Sequence, residues 1–165
     1  MNKKIKNTKI GDVFSANINN NHKRYLQYIA SDMTQLNSDV IRVFAKIYPI
    51  DANPSIEEIV NDKVDFYAHC VTKSGIKRGL WQKIGNIADV GRTDHIVFRD
   101  SGDLGTPEVK ISNDWWVWRI NEPFIEVGKL TNEYRDAEIG IVFQPERIIN
   151  RMQTGSYQIK YPDFE

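Results

Sequence analysis

The sequence predicts a mainly β, α+β domain: a strongly bent antiparallel sheet or small barrel carrying one or two short helices. Three observations carry this. Short runs rich in Val, Ile, Phe, Tyr and Trp recur between turn residues. The segments between them rarely hold a helix long enough for repeated parallel crossovers, which argues against a doubly wound sheet. The chain has 165 residues, 41% hydrophobic and 27% charged, and shows no internal repeat or Pro/Ser-rich linker. That composition suits one domain over residues 1–165, with 1–9 as a flexible or edge segment.

Taken in order, Gly11-Asp12 opens a strand over Val13 to Ile18. Asn19 to His22 is a turn, because Asn tolerates left-handed backbone. Tyr25 to Ile29 completes a hairpin, and Ser31 to Asp39 is polar and loop-like. Val40 to Tyr48 is the strongest strand. Its positions 41, 43, 45 and 47 are apolar while Arg42 and Lys46 are basic, so one face is expected buried and the other partly wet. A short helix follows Pro54, with Ser55 and Glu58 as a capping box and Ile56, Ile59 and Val60 as its apolar stripe.

Phe66 to Val71 returns to strand. Ile96 to Arg99 and Val109 to Ile111 flank a turn-rich loop, and Trp115 to Ile120 is a further strand. Ile139 to Phe143 reads as the last long strand. Pro145 to Thr154 reads as a helix, with Pro near its start and Gly155 just past its end. The alternating tail Ser156 to Tyr161 is expected to add an edge strand.

Charge divides the chain although it sums to zero, with 22 Lys+Arg against 22 Asp+Glu. Lys3, Lys4, Lys6, Lys9, Lys23 and Arg24 face only Asp12 in the first thirty residues. Asp51, Glu57, Glu58, Asp62 and Asp65 then face only Lys63, and Lys73, Lys77, Arg78 and Lys83 restore the balance. Zero net charge argues against a binder driven by phosphate contacts. The acidic segment is a candidate contact for a basic partner.

No apolar run reaches the roughly 18–20 residues of a membrane span. The basic start, Met1 to Lys6, has no apolar stretch behind it, so a signal peptide is not expected and a cytoplasmic location is. A single cysteine, Cys70, rules out an intrachain disulfide framework.

Motifs for chemistry are few. His22, His69 and His95 lie far apart, and neither H-x-H nor H-E-x-x-H occurs. His69 and Cys70 are adjacent in a strand and so point to opposite faces. Cys70 shares its face with Phe66 and Ala68, which reads as core. No phosphate loop, nucleotide-binding glycine fingerprint or G-x-S-x-G elbow is present. No catalytic, metal-binding or cofactor-binding residue is therefore assigned, and no cofactor is expected. The aromatic strand says more. Trp116, Trp118 and Ile120 share one face, which leaves Trp115 beside Arg119 on the other, a pairing common at binding hot spots. Trp81 is a further candidate contact.

Several segments together resemble the immunity protein 26 family of bacterial polymorphic toxin systems. They are Gly11 to Phe14, Tyr28 with Asp32 to Leu36, Val40 to Phe44, Val64 to His69, Gly79 to Trp81 and Trp115 to Asn121. The resemblance extends over roughly Ile10 to Phe164, and the order of the segments carries it more than any single one. It implies a small cytoplasmic α+β protein that binds and neutralises a toxin, and the physical mechanism expected of such binding is occlusion of the toxin's active site. Some relatives carry a phosphotriesterase label, so a small phosphoester hydrolase is the alternative, and a nucleic-acid-binding β module is a third. The resemblance supplies no catalytic or toxin-contact residues. From the residues themselves, the partner-contact candidates are Asp51, Glu57, Glu58, Asp62, Asp65, Trp81, Trp115 and Arg119.

Overall fold

The structure is a computed structural model that describes residues 7–165. The lysines expected to make the extreme N-terminus basic, Lys3, Lys4 and Lys6, lie outside these residues, as does most of the proposed 1–9 segment. In chain order the strands are β1 (Asp12–Asn17), β2 (His22–Asp32), β3 (Ser38–Phe44), β4 (Tyr48–Pro49), β5 (Val64–Cys70), β6 (Gln82–Asn86), β7 (Val97–Ser101), β8 (Trp115–Arg119), β9 (Ile125–Gly128), β10 (Glu138–Ile139) and β11 (Val142–Phe143). The helices are α1 (Ile56–Val60), α2 (Thr72–Lys77) and α3 (Pro145–Thr154).

The strands form two sheets that do not close into a barrel. The larger runs β11-β5-β3-β2-β1-β6, with β4 added against β2, and the smaller runs β10-β7-β8-β9. Most pairs are antiparallel; β10–β7 and β11–β5 are parallel. The architecture is thus α+β and mainly β, with open sheets and, among the described residues, three α-helices.

Local signals explain the elements that match expectation. The β1–β2 hairpin turns at Asn19, whose side-chain oxygen accepts from the Asn21 and His22 amides at 2.8 Å each. The turn is therefore built by side-chain capture rather than by left-handed Asn backbone. Ser55 caps α1 by accepting from the Glu58 amide at 3.1 Å. Pro145 occupies the first turn of α3, and Gly155 closes it at φ +82°, a conformation open to glycine at no steric cost.

Other elements differ from expectation. The loop over Ser31 to Asp39 shrinks to a tight turn, with Leu36 and Asn37 at positive φ, because β2 and β3 extend into it from both sides. The strand beginning at Val40 stops at Phe44, where the register against β5 shifts, so Ile47 is exposed instead of joining the core row. The expected long strand over 139–143 is two strands in two sheets: β10 pairs with β7, and β11 pairs with β5. Gly140 makes the switch. Its amide donates to the Arg99 carbonyl at 2.7 Å, and a Cβ there would stand 2.1 Å from the Trp118 ring. The tail forms no strand beyond one bridge, Ile111 to Asp163; Tyr161 and Phe164 pack against the cluster around Trp115 instead. α2 has no side-chain N-cap and forms where Gly75 accepts the face of Trp81.

Both faces of the large sheet are covered. The cross-strand row Phe14, Leu26, Val43 and Phe66 meets Ile148, Ile149 and Met152 of α3, together with Trp81. On the opposite face, α1 covers Val13, Tyr25 and Phe44 at one end, and the small sheet covers Ile29 and Val40 at the other. The strip between holds buried polar groups. Arg42, expected on a wet face, is only 6% exposed, because Gln27 accepts from its Nε at 2.8 Å and the Asp89 carbonyl accepts from its Nη2 at 3.2 Å.

Asp32, fully buried, joins the sheets. One oxygen accepts from His69 Nε2 at 2.9 Å and from Trp118 Nε1 at 3.0 Å; the other accepts from the Asn121 amide at 3.1 Å and the Gln35 amide at 3.3 Å. Among the described residues His69 Nδ1 meets no hydrogen-bond partner, so Asp32 is the polar anchor of that ring. Burial alone raises a carboxyl pKa, but these donors outweigh it and hold Asp32 below its ordinary value.

Two predictions follow from this geometry. Gly140→Ala forces its methyl group into Trp118 and is expected to cost about 1–3 kcal/mol, read as a lower urea midpoint at unchanged slope. Trp118→Phe removes a donor to the Asp32 carboxylate, a loss of about 1.5–3 kcal/mol at neutral pH in addition to any packing change. Because the folded pKa of Asp32 is depressed, its stabilisation is present above about pH 4 and is lost as pH falls through the folded value. The gap between wild type and Trp118→Phe should therefore narrow between pH 6 and acid, as measured by urea titrations along that range. A gap independent of pH would assign the whole effect to packing.

Candidate functional site

The acidic segment surrounds α1. Asp51 and Glu57 are exposed and make no ion pair among the described residues. Glu58 is exposed and accepts from Lys46 Nζ at 3.2 Å and from the Tyr48 hydroxyl at 3.3 Å. Asp62 accepts from the Lys46 and Lys63 amides at 2.7 and 2.8 Å, closing the bend after β3. Asp65 looks elsewhere: it pairs with the buried Arg24 at 2.7 Å, which also donates to the carbonyls of Phe44 and Met152. The five carboxylates are thus unequal. Asp51 and Glu57 keep their charge free for an outside group, whereas Asp62 and Asp65 hold the fold.

Two exposed isoleucines accompany them. Ile47 and Ile50 are 54% and 38% exposed and flank β4, whose Tyr48 reaches Glu58. Apolar side chains beside free carboxylates suit a protein contact, in which charge steers the encounter and apolar area is desolvated. Sequence reasoning missed them because alternation assigned Ile47 to the core. The available signal was Pro49, which cannot continue a central strand.

The aromatic candidates fare differently. Trp81 is 3% exposed, packs on Gly75 and Phe14, and donates from Nε1 to the Thr72 carbonyl at 2.9 Å. Trp115 is 1% exposed, not left at the surface beside Arg119. Leu130 and Tyr161 cover it, and its Nε1 donates to the Ser112 carbonyl at 2.9 Å. Both are core residues, because a large ring buries its area wherever a loop or tail can reach it. Arg119 is exposed, at the far end of β8 from Trp115. An exposed aromatic lies instead in the loop just before β9: Phe124, 48% accessible, against the half-buried Trp116, with Ile125 beside it.

The residues with chemical potential are shut away. His69 and Cys70 are fully buried on opposite faces of β5. Burial pushes the Cys70 thiol far above its ordinary value, which keeps it protonated. His95 is at the surface, its ring edge-on to Tyr67. Among the described residues, no three His, Cys, Asp or Glu side chains converge as a metal site. No helix of the described residues is long and apolar enough to cross a membrane.

Comparison with known proteins yields one family and no individual relative. No curated protein matches the chain, and no solved structure matches it. The family described as immunity protein 26 matches over residues 9–105, more than half of the chain. That span takes in β1 through β7, and with them the acidic segment, α1 and the Asp32–His69 pair. The chain belongs to the immunity protein 26 family.

Proposed function

We propose that this protein is a cytoplasmic immunity protein that binds a cognate bacterial toxin and blocks its active site. Family membership carries this reading, since an immunity protein implies a toxin partner. The burial of His69 and Cys70 supports it from the other side, because neither side chain can meet a substrate. The mechanism is occlusion: a stable interface buries roughly 800 Å² per partner, enough to cover a catalytic cleft.

The contact we assign is the face around α1 and β4. Asp51 and Glu57 supply negative charge that is unpaired among the described residues, Glu58 lies beside them, and Ile47 and Ile50 supply apolar area. Asp62 adjoins this face while holding the bend after β3, and Asp65, neutralised by Arg24, is left out of it. Such a face fits a toxin whose active-site rim is basic, as it is for enzymes that act on nucleic acid. Arg119 lies on the small sheet, outside this face.

Co-expression with the toxin domain encoded beside this protein tests the proposal. Wild type should rescue growth and co-elute with the toxin on a sizing column. Asp51→Lys combined with Glu57→Lys should slow association on the order of tenfold or more at low salt, and the deficit should shrink at high salt. Arg119→Ala should leave the association rate unchanged. No complex with well-folded wild type would defeat the neutralisation reading for that toxin, and normal binding by the double variant would move the contact off this face.

A further inference from the structure

A cavity of about 440 Å³ opens between β7, β10, the end of α3 and the C-terminal tail. It shares no residue with the face around α1. Its walls include Arg99, Glu138, Arg151, Tyr157 and Tyr161. The volume falls within the range of small-molecule sites, roughly 300–1,000 Å³.

The two arginines are held in unlike ways. Arg151 donates from Nη1 to Glu138 at 2.8 Å and to the Tyr157 hydroxyl at 3.1 Å, with its guanidinium over the rings of Phe66 and Tyr157. Arg99 is fixed by aromatic rings instead, Trp115 at 5.6 Å and Phe164 at 4.9 Å from its guanidinium carbon. Its Nη1 reaches only the Arg135 carbonyl, at 3.3 Å. Its Nε is buried and has no hydrogen-bond partner among the described residues. No carboxylate of the described residues lies within ion-pair reach of Arg99.

The inner wall therefore sets two guanidinium groups against one carboxylate. The remaining charged lining residues, Arg135, Asp136 and Asp163, are exposed, and Arg135 is paired with Glu165 at 2.6 Å. Water screens such rim charges, while a partly buried guanidinium without a counter-charge keeps its desolvation cost. A planar guanidinium with free N–H groups matches the oxygens of a carboxylate or phosphate, which would offset that cost.

We propose that this cavity binds a small molecule through an anionic oxygen group, phosphate or carboxylate, that engages Arg99 and Arg151. Glu138 tunes the site: it competes with the ligand for Arg151 and limits affinity for the anion.

Calorimetric titration of the full-length protein tests this, with inorganic phosphate in one arm, citrate in the second and chloride as the control. Saturable one-to-one binding of phosphate or citrate is expected, and the arm that binds identifies the group. Arg99→Gln should weaken that binding at least tenfold. Arg99→Lys, which keeps the charge and loses the planar fork, should weaken it less, and it serves in place of Arg99→Gln should that variant fail to fold. Glu138→Gln should strengthen binding severalfold, a gain that a purely structural role for Glu138 does not produce. No saturable binding in either arm, or equal affinity in wild type, the folded Arg99 variant and Glu138→Gln, would overturn the proposal.

Discussion

A carboxylate is held away from water only where its oxygens are supplied with donors, and Asp32 draws its donors from three separate parts of the chain. His69 belongs to β5 of the large sheet, and Trp118 and Asn121 to β8 and the turn after it. The Gln35 amide closes the turn after β2. The hydrogen bonds set how the two sheets stack, since moving one sheet would strand a buried charge. Apolar contacts alone would not fix this so narrowly. Phe98 and Trp118 could slide against Ile29 and Val40 at modest cost, but a hydrogen-bonded carboxylate has one geometry.

The same logic recurs where the large sheet meets its other neighbours. Arg24 ties the end of β3 to the last turn of α3 and to Asp65. Gln27 and Arg42 tie the sheet to the carbonyl of Asp89. Each network lies on β2 or β3 at the centre of the large sheet, and each ties that sheet to the element that covers it. Such groups add little net stability compared with apolar residues of similar size, so their effect is on which packing forms. The consequence for function is that polar residues conspicuous in the sequence, His69 above all, are spent on assembly.

Legibility from sequence followed the range of the signal. The β1–β2 hairpin, α1 and α3 were readable because their determinants are local: an Asn-rich turn, a Ser55 cap, Pro145 and Gly155. The crossing at Gly140 was not, because alternation over 139–143 reads the same whether one sheet or two receive the residues. Trp115 was misjudged for a related reason: Tyr161 of the tail that covers it lies forty-six positions away. Among the candidate contacts, the carboxylates were legible as a cluster of charge. Which of them are free was not, since Asp65 is engaged by Arg24, forty-one positions away, and Asp62 by the backbone of a bend.

Sealing the histidine and the thiol leaves the surface to do the work, and there the zero net charge conceals an uneven distribution. Two of the four basic residues that balance the acidic segment in sequence are paired in space with other carboxylates, Lys83 with Asp12 at 2.8 Å and Arg78 with Glu146 at 2.7 Å. They therefore do not neutralise Asp51 and Glu57. A neutral chain can carry a local field if its ion pairs form elsewhere, and that field falls off over about a Debye length, roughly 8 Å at physiological salt. Recognition on that length scale favours one shaped partner with a complementary patch over a long polyanion or polycation, whose charge would sample the whole neutral surface.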